Sequence, residues 1–383
     1  MTELEKNRKL IDEQDALLLE CFEKRMEASK KIAEYKRENN LSIADAKREN
    51  ELLKKRLELL KDKELTNETL ELFRKIMELS RRYQSSLLSG FDAGTEYVTE
   101  VLEKRRPKRE TKDIVVGFQG VEGSYGEQAA LEFFTDANYK SYETFEKVTK
   151  AVSTGEIAYG VLPIENSSTG GIMEVYDLLR KYGTFIVGEH KLKVEHCLLV
   201  LEDAQMADIT EVYSHNEGLS QSREFLSQND KWLQKSCLNT AAAAQLVSQS
   251  KDKSKAAIAS RRCAELYGLK ILKTGVNFNK NNYTRFIIIS LNLETDEACN
   301  KISTYFSLPH VSGSLATMLN EFSSAGLNLL KIESRPMYNK SWEYFFYIDF
   351  EGNLMDAIVQ ETLAKVAAYA SYFEVLGNYK AAL

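Results

Sequence analysis

Four prolines in 383 residues leave little to interrupt a helix, and the first 88 residues contain neither proline nor glycine. Cysteine is sparse as well: five residues, at 21, 197, 237, 263 and 299, odd in number and without a CxxC pair. That excludes a disulfide framework and a cysteine-built zinc site, and fits reduced thiols in a cytosol. Long apolar runs are missing; "FIIISL" is far too short to cross a bilayer, and "MTELEKNRKL" has no signal-peptide core. A soluble, cytoplasmic protein without membrane association is the expectation. There is no basic excess, since the net charge is −6, which argues against a general nucleic-acid binder. Glycines 117, 120, 123 and 126 do not spell GxGxxG, so no dinucleotide-binding loop is supported.

What is present falls into three textures, and the length suits two or three domains. Residues 1–90 are rich in Lys, Glu, Leu and Arg, with apolar positions at helical spacing: Ile11, Leu18, Phe22, Ile32, then Leu52 and Leu59, then Leu70, Phe73, Met77 and Leu87. They predict one long helix to about Asn39 and two shorter ones, with Ser42 and Asn67 as N-caps. Residues 91–112 read as a charged, partly helical linker. Residues 113–292 alternate strands ("DIVVGF", "AYGVLPI", "HCLLVL", "ITEVYS", "AAIAS", "RFIII") with helices, an α/β pattern. Residues 300–383 run β-α-β-β-α-β, the order of a ferredoxin-like α+β unit.

In the helical third, Arg25 and Lys36 are eleven residues apart, almost three turns, and share one face about 16 Å apart along the axis. Ser29 and Ile32 lie between them, so that face is partly turned to a core. Two such cations can grip a small dianion from both ends; the plainer alternative is a pair of solvated charges. Asp45 with Glu49, and Ser80 with Gln84, are i,i+4 pairs on the other helices that can serve the same pocket. The set Arg8, Asp15, Arg25, Lys36, Asp45, Arg48, Glu49, Ser80 and Gln84 resembles the all-helical chorismate mutases across residues 5–88. The resemblance implies that the cations bind two substrate carboxylates, that Lys36 and Gln84 hydrogen-bond the breaking ether oxygen, and that Glu49 holds the ring hydroxyl. Such a rearrangement needs no nucleophile, acid or base. It needs a folded substrate conformer and positive charge where the ether oxygen becomes more negative. Arg8 is roughly 25 Å from Arg25 along the helix, too far to share one small ligand within one chain. Either Arg8 is a surface residue, or the helix carries it into a second subunit, as the interlocked dimers of that family imply.

The middle third has two strand–loop–helix passages, "GFQGVEGSYGEQAAL" and "YGVLPIENSSTGGI". Each offers helix N-terminal amides to a carboxylate or phosphate. The polar run Glu165, Asn166, Ser167, Ser168, Thr169 reads either as helix caps or as a ligand loop. In "NNYTRFIIIS" a hydroxyl, Thr284, stands at the mouth of a β-branched strand. "VLPIENSSTG" and "NNYTRF", with the weaker "GSYGEQAA" and "YSH", resemble the prephenate dehydratases from Asp113 to Leu291. The resemblance implies two α/β lobes with the site between them. It assigns substrate contacts to Ser124, Tyr125, Glu165, Asn166, Ser167, Thr169, His215, Thr284, Arg285 and Phe286, with Thr284 most closely tied to activity. The reaction expels a ring hydroxyl and carbon dioxide; a threonine hydroxyl is a poor acid, so Thr284 is expected to hydrogen-bond the leaving oxygen. A carboxyl of raised pKa or a relayed water would be the acid, with Glu165, Glu127 and His215 as candidates. Arg285 either braces the loop or pairs with a substrate carboxylate. Three departures stand out: Glu127 where many relatives have His, "SHNEGL" for "SHPQAL", and Phe278 at a common Asp/Asn position.

In the last third, "GSLATMLNEF" and "LLKIESRP" resemble the ACT regulatory domains attached to prephenate dehydratases, with Ser314 and Ala316 departing from the common motif. The resemblance implies a phenylalanine site at Gly313, Ser314, Leu315, Glu333 and Ser334, with helix amides taking the amino acid's carboxylate. The expectation is therefore a bifunctional chorismate mutase–prephenate dehydratase without metal or organic cofactor. Its ligands would be chorismate, prephenate and phenylalanine, and its assembly a homodimer, with pairing into tetramers left open. A mutase joined to prephenate dehydrogenase would need the missing nicotinamide loop. A non-enzymatic amino-acid sensor on a degenerate two-lobed fold would have no use for Thr284 and the full mutase set.

Overall fold

The computed structural model describes residues 2–39, 46–88, 91–109, 112–337 and 343–382. The chain divides into a helical unit, Met1–Thr99 with Glu361–Tyr369, and an α/β unit, Glu100–Gln360 with Ala370–Leu383.

The helical unit begins with α1 (Glu3–Glu38), followed by α2 (Ala46–Leu59), α3 (Thr66–Leu88) and α4 (Phe91–Glu103). With no helix breaker in its sequence, α1 runs 36 residues, about 54 Å. Only its C-terminal half is seated: Ser29 and Ala33 are buried, as are Met77, Ser80 and Gln84 on α3. In the N-terminal half, Leu4, Leu10, Ile11, Leu17, Leu18 and Leu19 are each more than half exposed. The expected cap at Asn67 is displaced. Asp62 accepts the Glu64 N–H and starts a short 3-10 turn, Lys63–Leu65, that feeds α3 directly at Thr66. Ser42 and Asp45 lie outside the described residues, as does the side chain of Glu49.

The α/β unit lays down β1 (Val115–Gln119), β2 (Asn138–Tyr142), β3 (Tyr159–Asn166) and β4 (Phe185–Lys193). It then builds a second lobe from β5 (Cys197–Val200), β6 (Glu211–Ser214), β7 (Leu233–Ser236), β8 (Lys255–Ala259) and β9 (Lys270–Lys273). The chain returns with β10 (Tyr283–Ser290) and ends with β11 (Lys301–Ser307), β12 (Leu329–Pro336), β13 (Tyr344–Glu351) and β14 (Tyr372–Tyr379). The first lobe is ordered β2-β1-β3-β10-β4, the second β9-β5-β8-β6-β7, and the third sheet β12-β13-β11-β14, all antiparallel.

Returning β10 to the centre of the first lobe explains its composition. Ile287 and Ile289 join one core with Leu162, Ile164, Tyr305 and Tyr347, while Phe286 and Ile288 join the opposite core with Val116, Ala129 and Val161. A strand covered on both faces reads as a continuous apolar run, not an alternation. Pro163 in the neighbouring β3 is accommodated at a bulge: Arg285 pairs with Glu165, but Phe286 pairs with Pro163. No helix among the described residues is long and apolar enough to cross a membrane.

Candidate active sites

In the helical unit, α1 and α3 bring Arg25, Ser80 and Gln84 together. The Arg25 guanidinium donates to the Ser80 hydroxyl and, at 3.4 Å, to the Ile76 carbonyl; Ser80 in turn donates to the same carbonyl at 3.0 Å. Arg25 has no carboxylate partner among the described residues. Partial burial and the nearby cation Arg56 both push its pKa below the ordinary value. A cation held beside another cation is an acceptor for an anionic ligand. The Gln84 amide is buried, and its Oε1 has no hydrogen-bond partner among the described residues, a costly state for a buried polar atom unless a ligand meets it. Lys36 is half-buried on the face of Arg25, while Arg48 is exposed, 3.9 Å from Glu51. Arg8 and Asp15 lie on the exposed half of α1, away from Arg25.

In the α/β unit the site is built by β3, β10 and the loops that follow and precede them. Thr284 pairs with Asn166 on one side and Leu192 on the other, so it stands inside the sheet. The Asn166 amide has one allowed orientation. Its Oδ1 lies 2.9 Å from the Ser168 backbone N–H, which can only donate. Nδ2 therefore faces Thr284 Oγ1 at 2.9 Å and Asn282 Oδ1 at 2.8 Å. Thr284 Oγ1 is thus an acceptor of this bond, and its own hydrogen has no acceptor among the described residues.

The hydrogen bonds continue into the second lobe. Asn282 Oδ1 also accepts the Ser168 hydroxyl at 3.2 Å, so Asn282 Nδ2 faces Gln221 Oε1 at 2.8 Å. Gln221 Oε1 in turn faces His196 Nε2 at 3.1 Å, which makes that nitrogen the protonated one. The Tyr125 hydroxyl lies 3.2 Å from His196 Nδ1 and 3.1 Å from the Glu195 carbonyl. Burial lowers the His196 pKa to about 4, so the imidazole stays neutral near pH 7, and donors from Asn282 and His196 converge on Gln221 Oε1. Gln221, Asn282 and His196 were absent from the expected set. Their signal was weak: a polar residue on a short helix after "YSH", the second Asn of the doublet before "YTRF", and a histidine at the head of the apolar stretch "HCLLVL".

Other expected residues take supporting places. Ser124 is buried and caps the helix Tyr125–Phe133, accepting the Glu127 N–H at 3.3 Å. Glu127 Oε2 accepts the Gly123 N–H at 2.7 Å and pairs with Arg262 at 3.3 Å. The polar run after β3 caps nothing: the N-cap of the helix Met173–Tyr182 is Ile172, without a side-chain bond. Ser167 instead stitches two loops, donating to the Asn281 carbonyl and accepting the Tyr283 N–H, and the Thr169 hydroxyl is 3.5 Å from Asn166 Oδ1. His215 is exposed and caps its own helix, accepting the Glu217 N–H at 3.3 Å.

Four expectations are corrected. Strand alternation turns Arg285 to the face opposite Thr284, where it meets Glu165 at 3.0 Å, Glu189 at 3.1 Å and Asp349 at 3.1 Å. Three carboxylates occupy the guanidinium, so it is a brace and not a substrate ligand. Glu165 sits against Arg285 and, at 3.2 Å, Lys331. Burial works to raise its pKa, but the two cations hold it below the ordinary carboxylate value, the wrong direction for a general acid near neutral pH. Phe286 is in the core, 2% exposed, and contacts no cleft. In the third sheet, Gly313 adopts φ +84° as the N-cap of the helix Ser314–Ser324, and Leu315 is half-buried. Ser314 is buried, but Glu333 and Ser334 alternate to opposite faces of β12, so one chain does not present both to one ligand. Among the described residues no group of three or more His, Cys, Asp or Glu side chains is placed to hold a metal ion.

Comparison with known proteins agrees with this division of labour. The chorismate mutase type II family model matches residues 7–85, and the prephenate dehydratase model matches residues 116–293. The bifunctional chorismate mutase/prephenate dehydratase of Buchnera aphidicola subsp. Acyrthosiphon pisum (strain APS) is 30% identical over 373 residues, covering 95% of this chain and 93% of its own. Arogenate dehydratase/prephenate dehydratase 6 of Arabidopsis thaliana, chloroplastic, is 35% identical over 284 residues, 70% of this chain and 69% of its own. The crystal structure of prephenate dehydratase from Arthrobacter aurescens in complex with L-Phe matches with a TM-score of 0.64 at 27% identity, covering 70% of this chain and 90% of that one. With both catalytic domain models matched and a relative aligned almost end to end, the chain belongs to the family of bifunctional chorismate mutase/prephenate dehydratases.

Proposed function

We propose that this enzyme rearranges chorismate to prephenate between α1, α2 and α3, and converts prephenate to phenylpyruvate beside Thr284. For the first step, Arg25 and Lys36 take the substrate carboxylates, with Arg48 at the pocket's edge. The Gln84 amide and Lys36 face the ether oxygen as it gains negative charge. Asp45 and Glu49 complete the pocket on the expectation drawn from the family. For the second step, the ring carboxylate leaves as carbon dioxide. Its bonding electrons enter the ring while the carbon–oxygen bond at the far side breaks. The departing hydroxide and one proton make water, and the ring becomes aromatic.

The observation that carries the second assignment is the direction of the Asn166–Thr284 hydrogen bond. With Nδ2 donating into Oγ1, the threonine hydrogen is free to be given to the oxygen that must leave. Ser167 and Thr169 shape the loop, Tyr125 and Gln221 line the lobe opposite, and Ser124 presents the helix Tyr125–Phe133. Glu165 is held as a carboxylate by Lys331 and Arg285, which favours a relayed water over that carboxyl as the proton source.

The β-α-β-β-α-β unit is an ACT regulatory domain, and phenylalanine, the product family's end point, is its ligand, at Gly313 to Leu315 with Glu333 or Ser334. The phenylalanine bound in the Arthrobacter aurescens relative supports this reading. The apolar, exposed N-terminal half of α1 supports a homodimer in which Arg8 completes the partner's mutase pocket. The cytoplasm is the expected compartment. The deciding assay supplies chorismate, prephenate and arogenate separately to the purified chain and follows phenylpyruvate and phenylalanine with and without added phenylalanine. Absence of turnover on every substrate would leave an amino-acid-binding protein.

A further inference from the structure

The face of β10 opposite Thr284 carries a closed cluster of charges contributed by two sheets. Arg285 lies at its centre, touching Glu165 of β3, Glu189 of β4 and Asp349 of β13. Lys301 of β11 bonds Glu189 at 2.8 Å and approaches Asp349 at 3.5 Å. Lys331 of β12 reaches Glu165 at 3.2 Å and Glu333 at 3.7 Å. The Glu189 and Lys301 side chains are almost fully buried, at 1% and 8% exposed, and that of Arg285 is 11% exposed. Charges so withdrawn from water hold their geometry tightly, and removing one partner leaves the others uncompensated.

Two members of the cluster are chain neighbours of the two residues that define the dehydratase site. Glu165 precedes Asn166 and Arg285 follows Thr284, and the two pairs face each other across the β3–β10 ladder just before the bulge at Phe286. A bulge disrupts the ladder locally and re-aims a side chain. The Arg285–Glu165 pair closes the ladder there, and Lys331 and Asp349 clamp that pair from the third sheet.

We propose that Lys331 and Asp349 are positioning residues of the dehydratase reaction: from the third sheet they hold Glu165 and Arg285, and so fix the register at which Asn166 meets Thr284. The proposal rests on the dehydratase reading of that site. It gives the third sheet a part in catalysis even without a regulatory ligand. It also gives that sheet a mechanical route to Thr284, because Glu333 shares Lys331 with Glu165.

The test uses the full chain and two independent variants, Lys331→Met and the isosteric Asp349→Asn, with Lys331→Arg as the conservative control. Each should lower kcat for prephenate roughly tenfold, with KM changing less than about twofold, because the lost interaction bears on the transition state. Lys331→Arg should restore most of the loss. Mutase turnover in the same preparations should be unchanged. The discriminating readout is coupling: in a Thr284→Val background, either substitution should cost less than about twofold, since residues acting through one another are not additive. Wild-type turnover of prephenate is measured first, and its absence would remove the dehydratase reading itself. Given that turnover, an unchanged kcat in both variants, a rise in KM alone, or full additivity with Thr284→Val would overturn the positioning role.

Discussion

Because Asn166 presents its amide nitrogen to Thr284, replacing the threonine by valine deletes one directed donor while keeping the branched shape that β10 packs. The loss should fall on kcat more than on KM, by about a hundredfold or more, the usual scale for one transition-state hydrogen bond. Thr284→Ser should keep a substantial share. Steady-state kinetics on prephenate decide the matter: a folded valine variant with near-normal kcat would reduce Thr284 to a β-propensity choice. His196 gives a second prediction, for stability. Its pKa moves from 6.5 in the unfolded chain to about 4 in the folded one. Between those values the unfolded state binds more protons. The contribution is therefore complete above pH 6.5 and is lost progressively as pH falls toward about 4. The loss is on the order of 3 kcal/mol. Urea unfolding by tryptophan fluorescence should show a steeper acid-side decline for wild type than for His196→Gln. Equal slopes would show that this imidazole is not held neutral.

At the scale of elements, α1 is half a helix packed on its own chain and half a helix awaiting cover. Six large apolar side chains between Leu4 and Leu19 are exposed, and Arg8 lies among them, a helix-length away from Arg25. If a second copy covers that half, Arg8→Ala and Arg25→Ala should each abolish mutase activity alone. Mixing and exchanging subunits should restore activity at the one site where both wild-type residues meet. No recovery after verified exchange would place Arg8 on an ordinary surface. The helices were readable because the sequence offers no breaker before Ser89. The start of α3 was misread because Asp62, four residues upstream, organises the turn that leads into it. Strand β4 is hard to read in the sequence for a different reason. Its "GEHKLK" end looks solvated, yet Glu189 is buried against Arg285 and Lys301, and no local pattern announces partners 96 and 112 residues away. Alternation along β10 already separated Thr284 from Arg285; what faces Arg285 is a matter of tertiary packing. Thr284 was legible through its motif, whereas Gln221 and Asn282 gain meaning only when two loops close on Asn166.

Across the whole molecule, the two chemistries ask for different things and are kept on different elements. The proposed mutase pocket relies on charge placed on helix faces: among the described residues Arg25 has no carboxylate partner and Gln84 Oε1 no hydrogen-bond partner. The proposed dehydratase site rests on a chain of neutral hydrogen bonds that runs from the Ser168 backbone amide through Asn166 and Asn282 to Gln221, where His196 donates from the other side. Nothing in the second chain draws on a residue of α1, α2 or α3. Lys36→Ala should therefore abolish the conversion of chorismate while leaving supplied prephenate turning over at close to the wild-type rate. Thr284→Val should do the reverse. Mixing the two variants should then carry chorismate through to phenylpyruvate, with a lag set by the prephenate released into solution. Adding a trap that consumes free prephenate measures how much of the flux passes through solution in the wild type, where both sites share one chain. Loss of both activities in a well-folded Lys36→Ala enzyme would mean that the helical unit and the α/β unit are catalytically one.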